Sequence, residues 1–209
     1  MLRTLFIRLS PALLAVPLLL ACNSVPKAAP GYAVHDFGPL DGPPPRVLGF
    51  ALRSTEVVPA PWLASTAMSY RLLYGQPTRR QVFVESRWAA QPAQLVELAV
   101  KRAMRNAETA TPITGCRLRI DLDEFAQVFT SEAASEGVLE ARAHLLAPRS
   151  DQLIASRSFS IARPAPSANA VGGVAALRAG VFELNRELLD WLEALDADAA
   201  SRLRARCSA

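Results

Sequence analysis

An alternation of apolar and charged residues in the second half of the chain constrains the fold more than any other feature. In residues 117–123, apolar side chains alternate with arginines and aspartates, and residues 137–146 repeat this two-residue period. Such a period places the apolar side chains on one face of a β-strand. Residues 153–161 return after a proline-containing turn, so the three segments predict an antiparallel meander with one buried face. The phase changes at Glu124 and Phe125, which predicts a bulge or a bend there.

A long amphipathic helix is predicted after this meander, over about residues 170–196. Its apolar residues recur at helical spacing: Val174, Leu177, Val181, Leu184, Leu188, Trp191 and Leu195. This spacing is typical of a coiled coil and also of a helix that lies on a sheet. Because Phe182, Leu189 and Leu192 widen the apolar face, we expect the helix to pack along the sheet.

The first half of the chain predicts a second helix and several shorter strands. Residues 91–107 have apolar residues at helical spacing and a proline in the first turn, where proline is tolerated. Residues 31–37 and 46–55 have the composition of strands, and residues 68–74 and 81–86 flank a Gly-Gln-Pro turn typical of a hairpin.

These elements predict the fold class α+β. We expect a single domain with a mainly antiparallel sheet packed against two helices, at about residues 91–107 and 170–196. We find no internal repeat and no sign of a second domain in the sequence. The length also suits one domain of ordinary size.

The N-terminal segment has the features of a bacterial lipoprotein leader. Two arginines precede an apolar run over residues 11–21, which is too short to span a bilayer as a helix. The run ends in Leu-Leu-Ala before Cys22 and resembles the lipobox, in which the cysteine thiol takes a diacylglycerol. An ordinary signal peptide followed by an unrelated cysteine is the alternative. We predict a signal peptide over residues 1–21, a lipidated tether over 22–30 and a domain over 31–209.

Removal of this leader changes the charge on which a functional interpretation depends. The whole chain has 209 residues and a net charge of +4, and two of its 23 basic residues lie in the leader. The mature chain has a net charge of +2, which is too small to indicate a nucleic-acid-binding surface. Membrane attachment then depends on the acyl chains at Cys22. Asn23 follows that cysteine, where an aspartate favours retention in the inner membrane, so we expect the periplasmic face of the outer membrane.

The two remaining cysteines, Cys116 and Cys207, reach an oxidising compartment if the leader is a secretory signal. They allow one intramolecular disulfide, which would tie a central strand to the C-terminal tail. The alternative is two unpaired thiols with Cys116 buried.

We find no residues whose spacing indicates catalysis or a cofactor. The sequence has two histidines, His35 and His144, and neither has a sequence neighbour suited to a catalytic triad or a metal site. Asp121, Asp123 and Glu124 form an acidic group, but the alternation places the aspartates on a solvated face beside arginines. We therefore predict no catalytic residues, no metal site, no cofactor and no enzymatic activity.

Short motifs lie in order along the chain after the lipobox. They are Pro61-Trp62-Leu63, Ser69-Tyr70-Arg71-Leu72, Arg87-Trp88-Ala89 before Pro92, Leu118-x-Ile120-x-Leu122-Asp123-Glu124-Phe125, Phe159, Ala175-Ala176-Leu177 and Leu189-Asp190-Trp191-Leu192. Their order and spacing, from about residue 31 to 195, resemble the ABC-type transport auxiliary lipoproteins. These are the lipoprotein partners of Pqi-type and other mammalian-cell-entry (MCE) lipid transporters.

The resemblance implies a non-enzymatic accessory protein that works beside an ATPase, a permease and periplasmic MCE-domain proteins. Such systems move phospholipids or other hydrophobic molecules between membranes, and a homo-oligomer would match the ring of the transporter. Trp62 and Trp88, in or beside predicted loops, are the candidate partner contacts, because aromatic residues are favoured as contact anchors. The alternative is that these two rings cover the sheet locally. The competing functions are a lipid-binding carrier, which requires an apolar cavity, and an outer-membrane assembly lipoprotein.

Overall fold

In the computed structural model of the protein, the described residues are 31–39, 44–105, 115–150 and 152–208. The predicted signal peptide, Cys22 and the tether lie outside them. Within Tyr32–Ala209 the chain forms one domain of class α+β, as predicted.

Nine strands and three α-helices make up this domain in the described residues. The strands are β1 (Ala33–His35), β2 (Arg46–Val47), β3 (Leu52–Pro59), β4 (Ala67–Leu72), β5 (Gln76–Trp88), β6 (Met104–Arg105), β7 (Cys116–Phe129), β8 (Ser135–Leu146) and β9 (Leu153–Pro164). The helices are α1 (Pro92–Ala103), α2 (Ala170–Ala197) and α3 (Leu203–Ser208), with short 3-10 helices at Pro61–Leu63 and Ala199–Ser201.

The main sheet is mixed, with strand order β1-β5-β4-β7-β8-β9. The β7-β8-β9 meander is antiparallel as predicted, and so is the β4-β5 hairpin. The parallel pairs β1–β5, β3–β7 and β4–β7 were not predicted. β3 pairs with the first half of β7 and β4 with its end, so both strands share one edge of the longest strand. The segment predicted as one strand over residues 46–55 divides between β2, which pairs with β6 in a small second sheet, and β3.

One face of the meander is apolar and covered by helices, and the other is polar. In β7 the inward side chains of Leu118, Ile120 and Leu122 are at most 1% exposed. The predicted phase change is a bulge, since the β7–β8 register shifts between Leu122 and Glu124 and leaves Asp123 as the extra residue. This shift returns the next aromatic residue of the strand to the buried face.

The two long helices follow the sequence prediction, with small changes at their ends. α1 begins behind a capping box formed by Gln91 and Gln94 and stops at Ala103, before the chain extends into β6. In α2, Asn169 caps the first turn by accepting a hydrogen bond from the Gly172 backbone N–H at 3.0 Å. The helix packs against β7, β8 and β9, which confirms sheet packing over a coiled coil.

Two glycines permit the close approach of α2 to the sheet. A Cβ at Gly173 would overlap the side-chain oxygen of Gln127, which is 1% exposed. A Cβ at Gly137 in β8 would overlap the helix backbone near Leu177. Gly180 differs, because its Cβ would meet Ile161 Cγ2 at 3.7 Å, an ordinary van der Waals distance.

A disulfide between Cys116 and Cys207 attaches the C-terminal helix α3 to the start of β7. The two Cα atoms are 4.8 Å apart and both residues are fully buried. Leu203 is buried beside them, and Arg204 donates two hydrogen bonds to Asp196, at 2.8 and 2.7 Å. These hydrogen bonds lower the pKa of the Asp196 carboxyl below its ordinary value, against the opposing effect of its burial.

Among the described residues, no helix combines the length and the apolar character needed to cross a membrane.

Candidate functional site

The two tryptophans predicted as partner contacts lie in different environments. Trp62 is 55% exposed, as expected of a contact residue. Trp88 is 2% exposed, because β5 extends to this residue and turns its ring inward against Phe37 and Phe125, with ring centroids 5.8 and 5.5 Å away. Of the two predicted contacts, Trp62 is therefore exposed and Trp88 is buried.

Trp62 is held in place by the short 3-10 helix that links β3 to β4. The backbone N–H of Ala60 donates to Leu122 O at 2.9 Å, which attaches the start of this turn to β7. Pro61 restricts the first helical position, and Leu63 is buried at 3% exposure. The turn therefore directs its buried leucine inward and leaves the tryptophan ring at the surface.

Two further contacts orient the exposed ring. The indole Nε1–H of Trp62 donates to Asp123 O at 3.2 Å, on the residue that forms the β7 bulge. The guanidinium carbon of Arg80 lies 5.9 Å from the ring centroid, within the range of a cation–π contact. The bulge thus exposes the carbonyl that binds the indole.

Beside the ring lies a compact ion cluster on neighbouring strands. Arg80 donates to both carboxylate oxygens of Glu124, at 2.9 and 2.7 Å, and Arg71 approaches the same carboxylate at 3.4 Å. The Glu124 side chain is 15% exposed and the two arginines are 19% and 26% exposed. We call Trp62, Arg71, Arg80 and Glu124 the Trp62 surface.

This surface contains residue types that often anchor protein contacts. It combines an oriented aromatic ring with two cations and one anion, so a formal positive charge remains for an acidic or carbonyl-rich partner. Partly exposed ion pairs contribute little to stability, at about 0–1 kcal/mol each. A preorganised aromatic or arginine side chain can contribute far more to binding.

The histidines and the acidic residues occupy positions that sequence reasoning identified only in part. His144 Nε2 lies 3.3 Å from Asp121 Oδ2, so this histidine does have an acidic neighbour across the β7–β8 pair. Arg119 Nε donates to the other oxygen of Asp121 at 2.9 Å. His35 lies in β1, and its Nε2 is buried and has no hydrogen-bond partner among the described residues. The three acidic residues at 121–124 do not form a single acidic site, because each carboxylate pairs with a different basic residue.

A polar groove lies on the open face of the sheet around this pair. It has a volume of about 470 Å³, and its lining includes Ser54, Glu56, Arg119, Asp121 and His144. Within the described ranges, no three His, Cys, Asp or Glu side chains converge in a way that could hold a metal ion. The groove therefore contains a charged network in which Asp121 contacts both His144 and Arg119.

Apolar side chains of the sheet and of the helices form one buried cluster. Phe125 of β7, Leu139 of β8 and the α2 residues Leu184, Leu188 and Leu192 are each at most 1% exposed and belong to one cluster. The core of the domain therefore lies between the sheet and α2.

Comparison with known proteins gives a family for this architecture. The family model for the ABC-type transport auxiliary lipoprotein component matches residues 54–188, from β3 through most of α2. No curated protein sequence matches the chain significantly. The crystal structure of the protein XCC0632 from Xanthomonas campestris is similar at 22% identity and a TM-score of 0.61, covering 79% of this chain and 93% of that one. A crystal structure of an uncharacterized protein is similar at 12% identity and a TM-score of 0.60, covering 78% and 99%.

Proposed function

Because the chain belongs to the ABC-type transport auxiliary lipoprotein family, we propose that it is a lipid-anchored, non-enzymatic accessory subunit of an ABC transporter in the bacterial envelope. The family match over residues 54–188 is the observation that carries this proposal. It includes the Trp62 surface and most of the sheet.

The anchor of this subunit is Cys22, acylated after removal of residues 1–21. Its location is the periplasmic face of the outer membrane, in agreement with Asn23 after the cysteine. Several acyl chains on one residue attach a protein to a bilayer much more firmly than one, since each buried CH₂ contributes about 0.8 kcal/mol.

The partners in this proposal are a periplasmic MCE-domain protein and, through it, a permease and an ATPase that move phospholipids or other hydrophobic molecules. The lipoprotein acts as the docking point, and the Trp62 surface makes the contact. A carrier function would instead need an apolar cavity for an acyl chain, whereas docking needs only an exposed contact such as the Trp62 ring.

Capture of partners from envelope membranes tests this function. The full-length lipoprotein, with a C-terminal tag, is isolated in mild detergent, and copurifying proteins are identified by mass spectrometry. We expect the MCE-domain protein, the permease and the ATPase. Failure to recover any ABC-transporter component would refute the proposal, and a stoichiometric phospholipid bound to the delipidated domain would favour a carrier instead.

The contact surface is tested separately with Trp62→Ala. We expect a loss of partner capture of at least ~30-fold, which corresponds to about 2 kcal/mol for a binding hot spot. The matched control is Leu98→Ala, an apolar residue on α1 with 47% exposure. Unchanged capture by Trp62→Ala would remove the contact role from this surface and leave the accessory function intact.

A further inference from the structure

Exposed apolar side chains gather where the domain begins. Tyr32 is 51% exposed, Val34 60% and Val84 83%. Single exposed apolar residues are ordinary on a protein surface, but a group of large ones around one short edge strand indicates a contact surface. We call Tyr32, Val34, Val84 and Arg87 the β1 patch.

The pairing of β1 with β5 places these residues along one edge of the sheet. Val34 is opposite Arg87 in the parallel register, and the Arg87 guanidinium carbon lies 4.8 Å from the centroid of the Tyr32 ring. Ala33 is opposite Ser86, so Val84, two residues earlier on β5, lies beside the start of β1. In the described part of the chain β1 pairs with β5 alone, and its other edge is open.

The length of chain before the β1 patch limits how far it can lie from a bilayer. In the proposed function the acyl chains are on Cys22, and nine residues separate that cysteine from Tyr32. Ten peptide steps span at most about 35 Å when fully extended. A flexible chain of this length has a root-mean-square span of about 17 Å. This length keeps the start of β1 within about 35 Å of the acylated cysteine, so the β1 patch can reach the membrane surface.

We propose that the β1 patch inserts into the headgroup region of the bilayer that holds the acyl anchor. This inference rests on the lipid attachment in the proposed function. Tyrosine is favoured at the membrane–water interface, and exposed valines gain free energy by entering the acyl boundary. Arg87 extends its guanidinium along the aromatic ring and can reach lipid phosphate groups.

The charges around the patch indicate which lipids it contacts. Arg87 is the cation of the patch, and the exposed acidic residues Glu85 and Asp36 lie close to it in sequence or across β1. One cation and two acidic residues leave no net positive charge to attract anionic lipid, so the contact depends on apolar and interfacial groups. We therefore expect insertion into zwitterionic membranes and little response to salt.

Spin labelling tests this insertion on the full lipoprotein. A cysteine introduced by Val84→Cys is the only reactive thiol, because Cys22 is acylated and Cys116 and Cys207 are bonded. The labelled protein is reconstituted into zwitterionic phosphatidylcholine vesicles, and collision rates with oxygen and with a water-soluble nickel complex are measured. The control is Leu153→Cys, 50% exposed on β9, four strand positions from β5.

We expect the label at residue 84 to collide more with oxygen than with nickel, as a label in the membrane does, and the label at residue 153 to show the reverse. High nickel collision at both positions would overturn the proposal. Low collision with both reagents at residue 84 would mean that protein covers the patch, and would also overturn it. Protein that fails to float with the vesicles would instead show that the lipid anchor is absent, which separates that failure from failure of the patch.

Discussion

The disulfide between Cys116 and Cys207 gives the sharpest stability prediction. It joins residues 91 positions apart, from the start of β7 to the end of α3. In the chain-entropy treatment, closing a loop of this length lowers the conformational entropy of the unfolded chain. This raises the free energy of unfolding by about 4.6 kcal/mol. Domains of this size are usually stable by about 5–15 kcal/mol. Loss of the bond should therefore remove a large part of the stability and lower the melting temperature by about 9–18 °C.

Urea unfolding of the leaderless protein, with Cys22→Ser to remove the lipidated thiol, measures this loss. Oxidised protein is compared with the same protein reduced in denaturant and refolded in reductant, so the two samples differ only in the bond. The double variant Cys116→Ala/Cys207→Ala serves as a control for thiol chemistry and should behave like the reduced protein. A loss below about 1 kcal/mol would refute the entropic reasoning, because α3 would then detach on reduction and the rest of the fold would not depend on it.

Two further predictions follow from the packing and the pKa of the same domain. Gly173→Ala should destabilise the protein by about 1–3 kcal/mol in thermal unfolding, because the new methyl group overlaps the buried amide of Gln127. The control Gly180→Ala should leave stability unchanged or raise it by up to about 1 kcal/mol. Equal effects of the two substitutions would contradict the packing argument. Hydrogen bonds from Arg204 lower the pKa of Asp196 in the folded protein. The ionised Asp196 carboxylate therefore contributes its full stabilisation above the ordinary aspartate pKa of about 3.9. This contribution is lost as the pH falls through the lower pKa of the folded state. Asp196→Asn should therefore reduce the loss of stability on acidification from pH 5, measured by urea unfolding at each pH; an unchanged slope would remove the carboxylate from this role.

The parts of the fold that follow from local periodicity were predictable from the sequence. The alternation in residues 117–123 and the spacing of apolar residues in α2 each determine a buried face without knowledge of any other segment. The bulge at Asp123 was predictable for the same reason, because a change of phase within one strand has a local cause. The disulfide followed from the leader and the cysteine count, with the unpaired alternative left open.

The features that the sequence did not predict depend on contacts between distant segments. The parallel pairing of β3 and β4 with one edge of β7 requires connections whose path leaves no periodic pattern in the sequence. The burial of Trp88 depends on rings from segments far away in the chain, and the pairing of Asp121 with His144 depends on the β7–β8 register. The contact of Arg80 with Trp62 likewise appears only when β5 lies beside the turn after β3.

The two proposed surfaces are connected through β5. Arg80 on this strand contacts the ring of Trp62, and Val84 of the β1 patch follows four residues later, about 13 Å along an extended strand. If Val84 lies in the headgroup region, the Trp62 surface lies close to the membrane plane rather than at the far end of the domain. A partner that docks there must bring its own end near the bilayer that holds the lipoprotein. If the cargo is hydrophobic, as in the proposed function, it would then cross little water between such a partner and the bilayer.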